Sequence, residues 1–306
     1  MLKKTNILLL IASICSLLLV FLVDIQAIGF IVFIITISMV GIPHGAIDHI
    51  VYFKKTNITK GRFFSFYAYY IGLMIFVATC WIYFPVFSFL IFLTVSAYHF
   101  GQSQIFYIRK CNPIKHFIFF CWGSFVLSTI ITLNFTECSE IFSSLQPLKS
   151  SQWMVYSIWW WLMIGSGLTL SVFYFILYFN KSLTYRELIF EIIVLLILIT
   201  LSYYASAVYT FAIYFGLWHS LRSLIIEYKS LNASGRYSAV EFIRAILPFS
   251  LLALIFLLIS YYITENYIPG LSAYMLFIIV VSTLTLPHLI VMHDLYDNFN
   301  VKLSKR

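Results

Sequence analysis

The sequence predicts an all-α, polytopic transmembrane helix bundle of about ten helices, with the N-terminus and the C-terminus both cytoplasmic. Three observations predict it. The 306 residues are 62% hydrophobic and 10% charged, with a mean hydropathy of +0.97. Soluble domains are about 45–50% apolar and about 25% charged, so this chain cannot cover itself with polar surface. Its apolar residues fall into runs near the ~20 residues that cross a bilayer, and its basic residues gather on one side of the alternation those runs define.

In order, the first run, 7–23, follows Met1-Leu-Lys-Lys as a signal peptide would. No small-residue cleavage site comes after it and a second run begins at once, so it reads as a membrane helix. The later runs are 27–51, 64–84, 86–107, 116–134, 153–179, 188–204, 206–226, 246–264 and 271–293. The first is short, and 188–226 can form one tight hairpin around Ser202–Ala207, so eight or nine spans fall within the same reading. With the N-terminus in the cytoplasm, 18 of the 19 Lys and Arg residues lie inside, from Lys3 and Lys4 to Lys305 and Arg306, and only Lys149 lies outside. A wrong helix count would swap loops and spoil that segregation. The longest outside segment, near 135–152, carries Glu137 and Glu140.

The chain therefore reads as a single integral membrane domain, 1–306, multi-pass in the cell membrane, with the lipid bilayer as its partner. Its net charge of +8 belongs to basic cytoplasmic loops and calls for no nucleic acid. The five cysteines, Cys15, Cys80, Cys111, Cys121 and Cys138, form no CxxC pair and offer neither a disulfide framework nor a thiolate metal site.

Ionisable side chains inside spans are costly and usually face the bundle interior. Here they are histidines. His44, His99, His219 and His288 lie on the second, fourth, eighth and tenth spans, which all run from outside to inside. They stand 17, 13, 13 and 17 residues from their span starts, within roughly 6 Å of one depth at ~1.5 Å per residue. A buried metal site needs such a level set of imidazoles, and imidazole suits Fe, Zn, Cu or Ni. A single membrane histidine is more often an interhelical hydrogen-bond partner. His49 and His293 lie nearer the cytoplasmic ends, and His116 sits at a loop-to-helix boundary. Asp48, four residues beyond His44, shares its helix face. It is placed to accept from the second ring nitrogen of His44 or to orient a neighbour, or else to act as an interfacial cap. Pro287-His288 repeats the Pro43-His44 outline, and a proline kink is a device for aiming a side chain inward. Ser223 lies four residues after His219 and is a second candidate supporting residue. Arg222 reads as a snorkelling cation.

These segments together resemble the Brp/Blh family of β-carotene 15,15′-dioxygenases. The matching residues are PHGAIDH at 43–49, YHFGQSQ at 98–104, WHSLRS at 218–223 and LPH at 286–288. The resemblance implies an Fe(2+)-dependent enzyme that splits β-carotene with O2 at its central double bond, giving two retinals for transfer to a rhodopsin apoprotein. It implies ligand roles for His44, His99 and His219. The family pattern has a further histidine four residues after the WHS histidine, where this chain has Ser223. Either His288 completes the site, or three histidines and water do, or the activity has changed.

Two other classes compete. Membrane desaturases and lipid oxidases carry HxxxH or HxxHH boxes for two metals, and this chain has none; its close pairs, His44/His49 and His288/His293, are spaced five apart. A diverged, non-catalytic carotenoid-binding, retinal-binding or transport protein would use the histidines as relays or packing bonds. Metal content separates it from the enzyme.

Overall fold

The computed structural model describes residues 2–53, 59–108, 114–149, 155–232, 238–268 and 270–304. Several loop cations used above, Lys54, Lys55, Arg109, Lys110 and Arg236, lie outside them, as does Cys111. Among the described residues every regular element is a helix: α1 (Leu2–Val20), α2 (Ile25–Thr36), a π-helical stretch (Ile37–Gly41), α3 (Ile42–Gly45), α4 (Asp48–Phe53), α5 (Lys60–Tyr83), α6 (Pro85–Ile105), α7 (Ile114–Leu133), α8 (Phe135–Ser143), α9 (Gln146–Lys149), α10 (Tyr156–Phe179), α11 (Tyr185–Tyr204), α12 (Ala207–Ile213), a second π-helical stretch (Tyr214–Leu221), α13 (Arg222–Asn232), α14 (Ala239–Tyr267) and α15 (Ala273–Ser304).

Among the described residues eight helical segments are long and apolar enough to cross a membrane. The two other expected spans depart from that standard for separate reasons. The first is short, with an apolar part of Lys4–Val20. The eighth is broken by the second π stretch and continues into α13, where Arg222 and Glu227 are fully buried. The hairpin between α11 and α12 turns at Ser206, whose Oγ accepts from Tyr209 N. The Glu137 carboxylate accepts from Ala207 N at 2.7 Å, satisfying donors at the start of α12. Capping boxes at Thr184/Glu187 and Ser238/Glu241 start α11 and α14. The outside segment near 135–152 holds α8 and α9, and α8 buries Cys138 and Phe142 against the bundle.

The helices divide into an inner and an outer set. Along their most apolar stretches α6 and α15 are 50% buried and α7 is 61% buried, against 6% for α5 and 17% for α10 and α14. Small residues bring the inner helices together. A Cβ on Gly101 of α6 would overlap the Phe119 backbone of α7, and one on Gly123 of α7 would overlap the Ala97 backbone of α6. The two π stretches meet in the same way: a Cβ on Gly216 would overlap Thr36, and one on Gly41 would press the Phe215 ring. These contacts carry His99, His219 and His44 toward one point.

Candidate metal centre

Each histidine arrives by a different local device. His99 rides on α6 two residues before the glycine that seats α6 on α7. His44 follows the first π stretch and Pro43, which opens α3. His219 lies within the second π stretch; such stretches are rare and recur at functional sites. His288 directly follows Pro287 inside α15.

The four rings converge, and all are buried. Ligand atoms of His44, His99 and His288 lie within 4.8 Å of one another. The His219 ring centre is 4.8 Å from that of His99 and 5.1 Å from that of His44. Three of the rings are oriented from behind. His288 Nδ1 lies 2.8 Å from Asp48 Oδ1, and Tyr70 OH donates to the other oxygen of that carboxylate at 2.7 Å. His44 Nδ1 lies 2.7 Å from Glu227 Oε1, an electrostatic pair rather than an aligned hydrogen bond. His219 Nδ1 lies 3.0 Å from Ser103 Oγ, which itself donates to the Phe100 carbonyl.

Those partners set the tautomers. A carboxylate, or a hydroxyl whose proton is already given away, offers only lone pairs, which favours the ring proton on Nδ1 in His219 and His288, and the Glu227 carboxylate beside Nδ1 favours the same tautomer in His44. Their Nε2 atoms are then bare acceptors. His44 Nε2 and His288 Nε2 face each other at 3.1 Å, an arrangement of two lone pairs that only a shared cation or proton relieves. Both ring nitrogens of His99 are buried with no hydrogen-bond partner, and such an orphan costs about 1–3 kcal/mol. Neither Asp48 nor Glu227 pairs with a lysine or arginine among the described residues. A divalent cation held by the histidines meets all three demands at once: the facing lone pairs, the orphaned imidazole and the two uncompensated carboxylates. The donor set therefore fits a metal of the imidazole-binding class, Fe(2+) among them.

The sequence reading missed Glu227, Ser103 and Tyr70. It took Asp48 as a partner of His44 or of a neighbour, and the structure places it on the neighbour, His288. Glu227 falls just past the expected end of the eighth span, at 226. The wider π turns advance the chain less per residue and leave it buried at the level of the site. Ser223 is not beside the histidines by any hydrogen bond; its hydroxyl pairs with Tyr296 OH at 2.7 Å. The reason is the same π stretch, which breaks the rule that residues four apart share a face. Arg222 does not snorkel. It is 1% exposed and donates to the Ser103 and Gln104 carbonyls, while Gln104 Nε2 and Tyr107 OH donate to the buried Glu191. This network anchors the α6 segment whose Ser103 orients His219.

The histidines open onto a cavity of about 620 Å³. Its walls are almost wholly aliphatic and aromatic, from α2, α5, α6, α8, α14 and α15. Such a space holds a long apolar molecule and offers few polar groups along it, Ser96, Thr283 and Thr285 among them.

The profile of the Beta-carotene 15,15'-dioxygenase family matches residues 35–296, a range that includes all four histidines, Asp48 and Glu227. A protein of an uncultured marine bacterium 66A03, named Beta-carotene 15,15'-dioxygenase, is 28% identical over 221 residues, covering 69% of this chain and 72% of that protein. No solved structure gives a significant match.

Proposed function

We propose, from the fact that this chain belongs to the Beta-carotene 15,15'-dioxygenase family, that it cleaves β-carotene at the central double bond with O2 to give two retinals. Fe(2+) is the cofactor, held by His44, His99, His219 and His288. The observation that carries the reading is the pair of facing Nε2 atoms, 3.1 Å apart, beside an orphaned imidazole at the wall of an apolar cavity. Iron, when bound, supplies the redox activity and the open position that O2 needs.

The chain's own residues do the rest. Asp48, Glu227 and Ser103 hold three rings with their Nε2 lone pairs inward. The apolar walls take the polyene from lipid and exclude water from the reacting carbons. The overall change balances within the two substrates: one C=C and the O–O bond break, two C=O bonds form, and no proton or outside electron is consumed. Delivery of the retinal to a rhodopsin apoprotein, and residence in the bacterial plasma membrane, complete the proposal.

A non-catalytic carotenoid- or retinal-binding protein is the second reading, favoured by Ser223 in place of a histidine. His288 answers it by filling the fourth place in the cluster. The test is expression in a β-carotene-producing bacterium, with retinal and remaining β-carotene measured by chromatography and iron measured in the purified protein. Retinal that falls on iron chelation supports the enzyme. Well-inserted protein with iron absent and β-carotene untouched overturns it and leaves the binding protein.

A further inference from the structure

The residues lining the cavity that are also exposed on the outside of the bundle sit on two helices: Ile71 on α5, and Phe249, Leu252 and Phe256 on α14. Both helices pack on α15, and α14 also packs on α3, which carries His44. The cavity thus opens sideways between α5 and α14, beside the histidines and within the apolar belt. In the other direction it is blind. Away from the basic end its lining reaches Phe89 on α6 and Cys138 and Phe142 on α8, all buried. The Phe89 and Phe142 rings pack edge to face at 4.8 Å and form a floor.

His99 and Phe89 lie ten residues apart on one continuous helix, a rise of ~15 Å. An extended C40 carotenoid is about as long as the ~30 Å hydrocarbon core is thick, so the blind arm is the length of one half of it. A polyene has no polar group at its centre for a protein to read, and its successive double bonds are nearly alike in chemistry. Only a stop at one end can select among them.

We propose that the carotenoid threads end first between α5 and α14, and that the Phe89–Phe142 floor stops its leading ring and so sets which double bond lies at the histidines. Cleavage position is a length measured from the floor. This rests on the function proposed above and adds the element that makes the cleavage central.

The test compares aldehyde products by chromatography and mass in the parent and three variants, with iron content measured in each. Phe142→Ala deepens the arm and converts a single C20 product into an unequal pair, one longer and one shorter. Val208→Phe, on the wall of the same arm, shortens it and also gives an unequal pair, and it carries the test if Phe142→Ala fails to insert. Ala253→Phe, at the side opening, lowers kcat/KM several-fold and leaves retinal as the product. Iron-loaded floor variants that still make retinal alone overturn the ruler. A parent chain that cleaves nothing overturns the proposed function instead.

Discussion

Two groups of histidines lie on opposite sides of one turn of α6, and they are built differently. His99 faces the buried cluster. Its neighbour Tyr98 faces the other way, toward the edge of the bundle, and Gln102, buried beside His99, reaches across to the same edge. There Tyr98 OH lies 2.8 Å from His116 Nδ1, and Gln102 Nε2 lies 2.9 Å from His293 Nδ1. Lys115 pairs with Asp297 at 2.9 Å, and the His293 side chain is 40% exposed. In the edge group both Nδ1 atoms have partners within the protein, Tyr98 and Gln102. In the inner group the Nδ1 atoms of His288, His44 and His219 are met by two carboxylates and a serine, the Nε2 atoms of His44 and His288 face each other, and His99 has no hydrogen-bond partner. Proximity of histidines is common to both; unmet, buried lone pairs belong to one. That difference, more than the number of histidines, marks the candidate metal centre.

The comparison breaks most sharply at His99. His99→Ala removes the ring with no partner of its own, and retinal formation should fall at least a hundredfold with iron lost from the purified protein; unchanged iron and activity would take His99 out of the ligand set. Next is Glu227→Ala. Loss of a group that orients a ligand typically costs 10–100-fold in metal affinity, so iron titration should show a shift of that order, and Glu227→Gln, which keeps an oxygen acceptor, should recover most of it. Ser103→Ala should weaken iron binding less, by about tenfold or below, because a neutral hydroxyl orients a ring more weakly than a carboxylate does. Smallest is His293→Ala: retinal yield and iron content should stay within about twofold, since pairs near the surface contribute about 0–1 kcal/mol. A loss there as large as that of Glu227→Ala would erase the distinction between the two groups.

Much of this was legible in the sequence because membranes impose simple rules. Span length, charge segregation and the shared depth of four histidines follow from counting residues along straight helices. The prolines before His44 and His288 were visible as kinks in waiting. What counting missed is what a straight α-helix does not describe. The π stretch at Tyr214–Leu221 rotated Ser223 away to Tyr296 and drew Glu227 into the site. The short helix α8 lies in the outside segment near 135–152, for which the sequence reading named no element, and its Cys138 and Phe142 close a hydrophobic cavity end.

The sequence by itself determined the class of the protein, its helix order and its candidate ligands, since bilayer thickness and the cost of burying an ionisable group act on each segment alone. The tertiary structure alone decided the rest. Which carboxylate stands behind which imidazole, which nitrogen carries the proton and where the cavity ends depend on glycine-mediated contacts between helices far apart in the chain, and on backbone turns that no local pattern announces.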